Sequence, residues 1–137
     1  MTLHDRIAAE ALALVGAPFR LHGRSERTGL DCVGLGALAL LRAGVPVHRL
    51  PAYRLRGTAP DHAVAALREA GLLPAAEPRP GDILLVRSGP MQLHLMIETS
   101  RGLVHAHAGL GRAVLMPPPS PWPLLGRWRC APREEGS

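Results

Sequence analysis

Aromatic residues, lysine and cysteine are scarce in this chain of 137 residues. Phe, Trp and Tyr together make up 3% of it, so a hydrophobic core must be built from Leu, Val, Ile and Ala. The sequence has no lysine, and its formal net charge of +5 is carried by arginine. The arginines are scattered rather than gathered in a run, so a nucleic-acid partner is not expected. Two cysteines are too few for a small disulfide-stapled fold.

Long hydrophobic runs are also missing. No apolar stretch approaches the roughly 20 residues that span a bilayer, so membrane insertion is not expected. The segment Met1–Arg6 lacks a basic region followed by an apolar run, and no signal peptide is predicted. We therefore expect synthesis in the cytoplasm. If the protein acts outside the cytoplasm, something other than a signal peptide must deliver it there. The length predicts one domain, over residues 1–131, with a flexible tail at 132–137.

Helix signals dominate the first half of the chain. A capping box at Thr2–Asp5 opens a helix that Gly16-Ala17-Pro18 ends. A second helix is predicted from Cys32 to Arg42, where two glycines suggest close approach of a neighbouring backbone. Asp61 is predicted to cap a third helix that runs through Ala70. The segments between them, 19–29, 46–60 and 72–80, are predicted to be loops or connectors.

Strand patterns dominate the second half. An apolar run at 83–86 is followed by a turn at 87–92 and an alternating segment at 93–99. Ser100-Arg101-Gly102 predicts a hairpin turn. Three further strands are predicted at 103–108, 112–116 and 124–130. Helices followed by an antiparallel run predict an α+β domain, with the N-terminal helices packed on a small antiparallel sheet.

Cys32 is the first candidate for chemistry. Asp31 is a good N-cap, which makes Cys32 the first residue of the second helix. The helix dipole and the free N–H groups of the first turn favour a thiolate there, and the thiolate is the nucleophile. The alternative is that Cys32 is a small buried hydrophobic residue. Cys130 has no such context and is interpreted as structural, although a disulfide between the two remains open.

A cysteine nucleophile needs a base, and the base needs an orienting group. His94, His105 and His107 share one face of the predicted hairpin. A two-residue turn at Ser100-Arg101 would place His107 directly opposite His94 and His105 on the diagonal, and either could orient it. His22 could also line a site. Residue types suitable as zinc ligands are present at Cys32, His94, His105 and His107. No paired ligand spacing supports a metal site, and none is predicted.

Five short blocks carry a resemblance that covers nearly the whole chain. They are Gly16-Ala17-Pro18-Phe19-Arg20, Asp31-Cys32-Val33-Gly34-Leu35, Pro80-Gly81-Asp82-Ile83-Leu84-Leu85, His94-Leu95-Met96-Ile97 and Val104-His105-Ala106. In this order and spacing they resemble NlpC-type cell-wall peptidases, which are small papain-like cysteine peptidases. The segment Ser120-Pro121-Trp122 is similar to one in the bacteriophage branch, whose members are tail-associated.

The resemblance implies the fold and the site. Cys32 would be the nucleophile, His94 the general base and His105 the third polar residue, with His107 as its rival from the hairpin register. Asp31 would cap the helix and stay outside the chemistry. The family often has Tyr where this chain has Phe19, so the oxyanion would rely on the backbone N–H of Cys32 and another donor. Val33 stands where the family most often has Ser.

The resemblance also implies an activity and a setting. The expected reaction is amide hydrolysis in peptidoglycan stem peptides, without a cofactor. Besides Phe19, the arginines Arg20, Arg24 and Arg27 could contact substrate, because guanidinium groups bind carboxylates. The expected partner is the hub or baseplate of a phage-like tail that delivers the protein. The alternative is a catalytically impaired docking component of such a tail, which the Phe19 departure motivates.

Overall fold

The computed structural model describes residues 1–46 and 60–131. The predicted tail at 132–137, and most of the predicted irregular stretch with His48, lie outside the described residues. The elements are α1 (Leu3–Ala13), β1 (Arg24–Ser25), β2 (Gly29–Leu30), α2 (Cys32–Arg42), α3 (Pro60–Glu69), β3 (Leu72–Pro74), β4 (Ile83–Gly89), β5 (Gln92–Thr99), β6 (Gly102–His107), β7 (Arg112–Met116) and β8 (Leu124–Cys130). No helix among the described residues is long and apolar enough to cross a membrane.

Local side-chain signals determine where the first two helices begin. The Thr2 hydroxyl accepts the N–H of Asp5 at 3.1 Å and the Asp5 carboxylate accepts the N–H of Thr2 at 3.2 Å, which confirms the capping box. α2 begins at Cys32 with Asp31 as its N-cap, as predicted. The predicted N-cap of α3, Asp61, was wrong. The helix begins at Pro60, a residue type favoured at the first helical position, so Asp61 lies in the first turn rather than at the cap.

Six antiparallel strands form the main sheet in the order β3-β8-β4-β5-β6-β7, and the α+β prediction is confirmed. The predicted turn at Ser100-Arg101 is confirmed by the pairing of Thr99 with Gly102. The other predicted turn is shorter than expected, because β4 extends to Gly89 and β5 begins at Gln92. The β1–β2 ribbon and the edge strand β3 were predicted as loop, since strands of two or three residues leave no alternating pattern.

Apolar side chains lie on both faces of the sheet. α1 and α2 pack on β5, and the larger cluster includes Leu93, Leu95 and Ile97 from that strand. A smaller cluster on the other face contains Leu84, Val86, Met96 and Leu103, with Met116 and Trp122 packed against it. This alternation confirms the predicted two sides of β5. The side chain of His94 therefore leaves the strand on the face opposite to Leu93 and Leu95.

The ladder between β5 and β6 is short. It runs from Thr99–Gly102 to Ile97–Val104 and ends there, while β6 continues to pair with β7 as far as His107. α2 contacts both β5 and β6. The start of β5 and the end of β6 are therefore separated beside α2, which leaves room for a cleft.

A buried carboxylate just before the start of β4 links this strand to β8. Asp82 is fully buried and accepts hydrogen bonds from Arg127 Nη1 at 2.8 Å and from Arg129 Nε at 2.7 Å. Arg127 also contacts Glu98 at 2.6 Å. Burial alone would raise the pKa of Asp82, but the hydrogen bonds from Arg129 and Arg127 hold it below its usual value of 3.8.

We expect Asp82→Ala to lower the free energy of unfolding by about 3 kcal/mol at pH 7, because it leaves two guanidinium groups without their buried partner. Glu98→Gln, which changes a more exposed partner, should cost less. Because the folded pKa of Asp82 is depressed, its contribution is present above pH 3.8 and is lost as the pH falls through the folded pKa. Urea titrations at pH 7 and pH 3 measure this. An equal loss at both pH values would contradict the account.

Candidate active site

The Asp31 carboxylate organises the N-terminal end of α2. Its Oδ1 accepts the N–H of Gly34 at 2.8 Å and Arg24 Nη1 at 3.0 Å. Its Oδ2 accepts the backbone N–H of His22 at 2.9 Å. The first contact is the predicted N-cap, whereas the other two could not be predicted from spacing. Together they tie the loop at residues 20–24 to the start of the helix that carries Cys32.

Glycines allow the loop and the helix to approach each other closely. A Cβ at Gly34 would overlap the carbonyl oxygen of Gly23, so only glycine fits this position of α2. This confirms the predicted close backbone approach at Gly34. The same expectation fails for Gly36, where a Cβ would meet nothing within 4 Å.

A cleft of about 830 Å³ lies between this loop, the start of α2 and the sheet. It brings together most of the predicted site residues. Those that line it are Phe19, Arg24, Asp31, Cys32, His94, His105 and His107, together with His22 and Trp122. Arg20 and Arg27 do not line the cleft, and their contact with substrate stays a prediction. Both are exposed on the loop.

His94 and His105 are hydrogen-bonded to each other. His94 Nε2 lies 2.9 Å from His105 Nδ1, with the ring centroids 5.0 Å apart and the rings nearly perpendicular. His107 is instead engaged by its own turn, where its Nδ1 accepts the N–H of Leu110 at 3.0 Å. The register argument that placed His107 opposite His94 does not describe the structure, because the β5–β6 ladder ends at Val104. Of the two rivals, His105 is the one that contacts His94.

Trp122 covers the histidine pair. Its ring makes edge-to-face contacts with His94, at 5.8 Å between centroids, and with His105, at 5.6 Å. Ser120 holds the segment through its hydroxyl, which accepts the N–H of Trp122 at 3.0 Å and contacts its carbonyl oxygen at 3.2 Å. The sequence offered no spacing signal for this contact, because Trp122 lies in a proline-rich crossing outside the sheet. The indole limits access of water to the hydrogen bond between the imidazoles.

The Cys32 thiol is protonated at rest. Burial raises its pKa to about 12, the negative charge of Asp31 adds to this, and the backbone N–H of Leu95 only partly opposes it. The expectation that the helix start would favour a thiolate is therefore wrong for the resting protein. The physical reason is that burial destabilises the thiolate by more free energy than hydrogen bonds from the N–H groups of the first turn stabilise it. A neutral thiol needs a base at the moment of attack.

The histidine pair is neutral at rest. Burial, followed by repulsion from His105 and His107, lowers the pKa of His94 to about 3. Burial and the charge of His107 lower the pKa of His105 to about 4. With His94 Nε2 engaged by His105, the nitrogen left to accept a proton is His94 Nδ1. It can accept only in the tautomer in which Nε2–H donates to His105, so the bond between the rings controls the base.

The sequence also raised the possibilities of a metal site at Cys32 and the histidines and of a disulfide between Cys32 and Cys130. Among residues 1–46 and 60–131, no three His, Cys, Asp or Glu side chains are placed to hold a metal ion. Cys32 and Cys130 are both free thiols, so they do not form the disulfide that the sequence left open. Cys130 is buried at the end of β8, where burial raises its pKa to about 11.

The cleft thus combines a helix-borne thiol with a hydrogen-bonded pair of imidazoles on the sheet, residue types that can support acyl transfer through a covalent intermediate. Solved NlpC/p60 domains share the fold. The NlpC/p60 domain of the peptidoglycan hydrolase SagA has a TM-score of 0.57 and 21% identity, over 83% of this chain and 88% of its own. The P60 domain of an antigen from M. avium subspecies paratuberculosis has a TM-score of 0.64 and 18% identity, over 96% of each chain.

No protein-family profile and no curated protein matches the chain. The structural similarity establishes that the chain has the NlpC/p60 fold, as the five sequence blocks predicted.

We expect Cys32 to react slowly with iodoacetamide at pH 7, because a pKa of about 12 leaves almost no thiolate. The rate should rise about tenfold per pH unit up to about pH 10, since it follows the thiolate fraction. Peptide mass mapping separates Cys32 from Cys130, and the chain in denaturant provides the control with ordinary thiols. A rate that is already constant between pH 6 and pH 9 would show a preformed thiolate.

Proposed function

We propose that the chain is a cysteine peptidase that hydrolyses an amide bond in peptidoglycan stem peptides. The observation that carries the proposal is the single cleft that holds Cys32 and the hydrogen-bonded pair of His94 and His105. The substrate class is supported by the fold shared with a domain of a peptidoglycan hydrolase. The reaction class is supported by the site itself, which pairs a nucleophile with a base and an orienting group.

Acylation begins from neutral partners. As the Cys32 sulfur approaches the scissile carbonyl, His94 Nδ1 takes the thiol proton, and the new S–C bond places negative charge on the carbonyl oxygen. The backbone N–H of Cys32, at the start of α2, donates to this oxyanion. When the C–N bond breaks, the proton on His94 passes to the leaving amine. A thioester on Cys32 remains.

In deacylation, His94 takes a proton from water instead of from the Cys32 thiol. It removes this proton as the water oxygen attacks the thioester carbonyl. The C–S bond then breaks, the proton on His94 passes to the Cys32 sulfur, and the product leaves as a carboxylic acid that loses its proton to solvent. Throughout both steps His105 keeps His94 in the tautomer that leaves Nδ1 free to act. Trp122 shields their hydrogen bond, which is stronger where water is excluded.

Arg24 is the arginine that we propose as the ligand of an anionic group of the substrate, because it lines the cleft. Its Nη1 is engaged by Asp31 and by the carbonyl oxygen of Gly23, at 3.0 and 3.1 Å, and this fixes the guanidinium at the wall of the cleft. The remaining N–H groups of the fork can donate to a carboxylate. Stem peptides carry free carboxylates, so this contact fits the proposed substrate class.

We further propose that the protein acts as a component of a phage or phage-like tail that penetrates the cell wall, docked on a hub or baseplate protein. The similarity of the Ser120-Pro121-Trp122 segment to the phage branch supports this setting. Peptide mass spectrometry of purified tail particles from the producing strain tests it, and absence of the chain from intact particles would contradict it.

A catalytically impaired docking component is the second candidate. It is favoured by Phe19, which lines the cleft without offering a hydrogen-bond donor, and by the protonated state of Cys32. Digestion of purified muropeptides, with mass spectrometry of the fragments, separates the two functions. Cleavage by the protein supports the peptidase, whereas intact muropeptides at high enzyme concentration support the docking component. The fragments also identify the bond that is cut.

We expect Cys32→Ala to abolish muropeptide cleavage while the protein stays folded, because the substitution removes only the nucleophilic sulfur from the helix start. Circular dichroism checks the fold, and Cys130→Ala is the matched control that removes the other thiol. Cleavage at the full rate by Cys32→Ala would disprove the mechanism.

His105→Ala should lower kcat by at least about 100-fold, because His94 loses the partner that fixes its tautomer. His107→Ala should change kcat little, since its ring nitrogen is bound to the Leu110 N–H rather than to His94. Steady-state kinetics on one purified stem peptide compares the two variants. Equal losses of kcat would refute the assignment of His105 as the orienting residue.

A further inference from the structure

The turn from Arg20 to Gly23 places a histidine in an unfavourable backbone conformation. The turn is closed by the N–H of Gly23, which donates to the carbonyl oxygen of Arg20 at 2.8 Å. His22 is its third residue and has a φ of 62°. Among residues 1–46 and 60–131 it is the one non-glycine residue with a positive φ. Glycine or asparagine is the usual residue in such a position of a turn.

The backbone of His22 does not explain why a histidine is there. Its N–H donates to Asp31 Oδ2 at 2.9 Å, and a glycine would make the same hydrogen bond without the steric penalty. Strained residues of this kind concentrate at functional sites, where the side chain or its placement is needed. The reason for a histidine at this position must therefore lie in its imidazole ring.

The imidazole of His22 lines the cleft and is not engaged elsewhere. It is exposed, and within the described part of the chain it has no hydrogen-bond partner. Its backbone is tied to Asp31, the residue before Cys32, so it belongs to the α2 side of the cleft. His94, His105 and His107 belong to the opposite, sheet-borne side. The ring thus lines the same cleft as Cys32, on a loop that is hydrogen-bonded to the residue before Cys32.

Attack by Cys32 creates a charge that this side of the cleft must stabilise. The oxyanion needs hydrogen-bond donors in addition to the backbone N–H of Cys32. Phe19 offers none, and the proposed role of the remaining N–H groups of Arg24 is to bind a carboxylate of the substrate. An imidazole carries at least one N–H in either protonation state, so His22 can always donate.

We propose that His22 is a catalytic residue whose ring N–H donates to the oxyanion formed when Cys32 attacks the substrate carbonyl. The proposal rests on the proposed peptidase function and adds a residue to it. In this step the Sγ–C bond forms, the carbonyl π electrons move to oxygen, and His94 takes the thiol proton. His22 keeps its own proton and contributes a hydrogen bond only.

The first test compares His22→Gly and His22→Asn with the native protein on a purified stem peptide. His22→Gly should lower kcat by about 100-fold or more, with KM little changed, because the donor acts on the transition state. Its melting temperature should not fall, since glycine adopts the positive φ freely. His22→Asn keeps both a side-chain N–H and tolerance of this conformation, and should recover part of kcat. Thr28→Gly, on the same loop but outside the cleft, is the matched control and should leave kcat unchanged.

The second test does not depend on which bond the protein cuts. A peptide aldehyde adds reversibly to a cysteine thiol, and the hemithioacetal carries an oxygen in the position of the oxyanion. We expect the native protein to bind N-acetyl-alanyl-alaninal through Cys32, and His22→Gly to bind it at least tenfold more weakly. Thr28→Gly should bind like the native protein.

The outcomes separate the two proposals. Weaker aldehyde binding by His22→Gly supports the role of His22 even if muropeptides are not cleaved, in which case the substrate assignment fails instead. Unchanged aldehyde affinity and unchanged kcat in His22→Gly would overturn the role of His22 while leaving the peptidase intact. Absence of any Cys32 adduct in the native protein would overturn both.

Discussion

The site depends on one carboxylate. Asp31 accepts the N–H of Gly34, which starts α2 at Cys32, and the N–H of His22, which fixes the loop above it. The guanidinium of Arg24 completes the set. A side chain adjacent in sequence to Cys32 thereby fixes both the start of α2 and the position of the loop. Backbone hydrogen bonds from Phe19 to Gly111 and from Arg20 to Leu30 add to this hold on the loop.

Burial then decides the chemistry that the cleft can perform. It raises the pKa of the Cys32 thiol and lowers those of His94 and His105, so these three side chains are uncharged at rest. In the proposed mechanism, attack must therefore couple proton transfer to bond formation. The cover of Trp122 over the histidine pair belongs to the same arrangement, because a shielded hydrogen bond holds the tautomer of His94 more firmly.

Sequence reasoning succeeded where structure is determined locally and failed where it depends on distant packing. The start of α2 was predictable because Asp31 and Cys32 are neighbours. The hairpin register favoured His107 wrongly, since the pairing depends on where β5 and β6 separate. The resemblance of the Val104-His105-Ala106 block pointed instead to His105, which contacts His94. The raised pKa of Cys32 was missed for a similar reason, because burial is contributed by residues far along the chain. The hydrogen bonds between Asp31 and the loop could not be predicted from the spacing of residues in the sequence.

The central claim is that Cys32 forms a covalent acyl intermediate in this cleft. Acid quenching of the protein during turnover of a stem peptide, followed by mass spectrometry of the intact chain and its fragments, tests it directly. The account predicts a thioester whose mass equals the acyl part of the substrate, located on the fragment that contains Cys32. Product release without an adduct, or an adduct on Cys130, would contradict it.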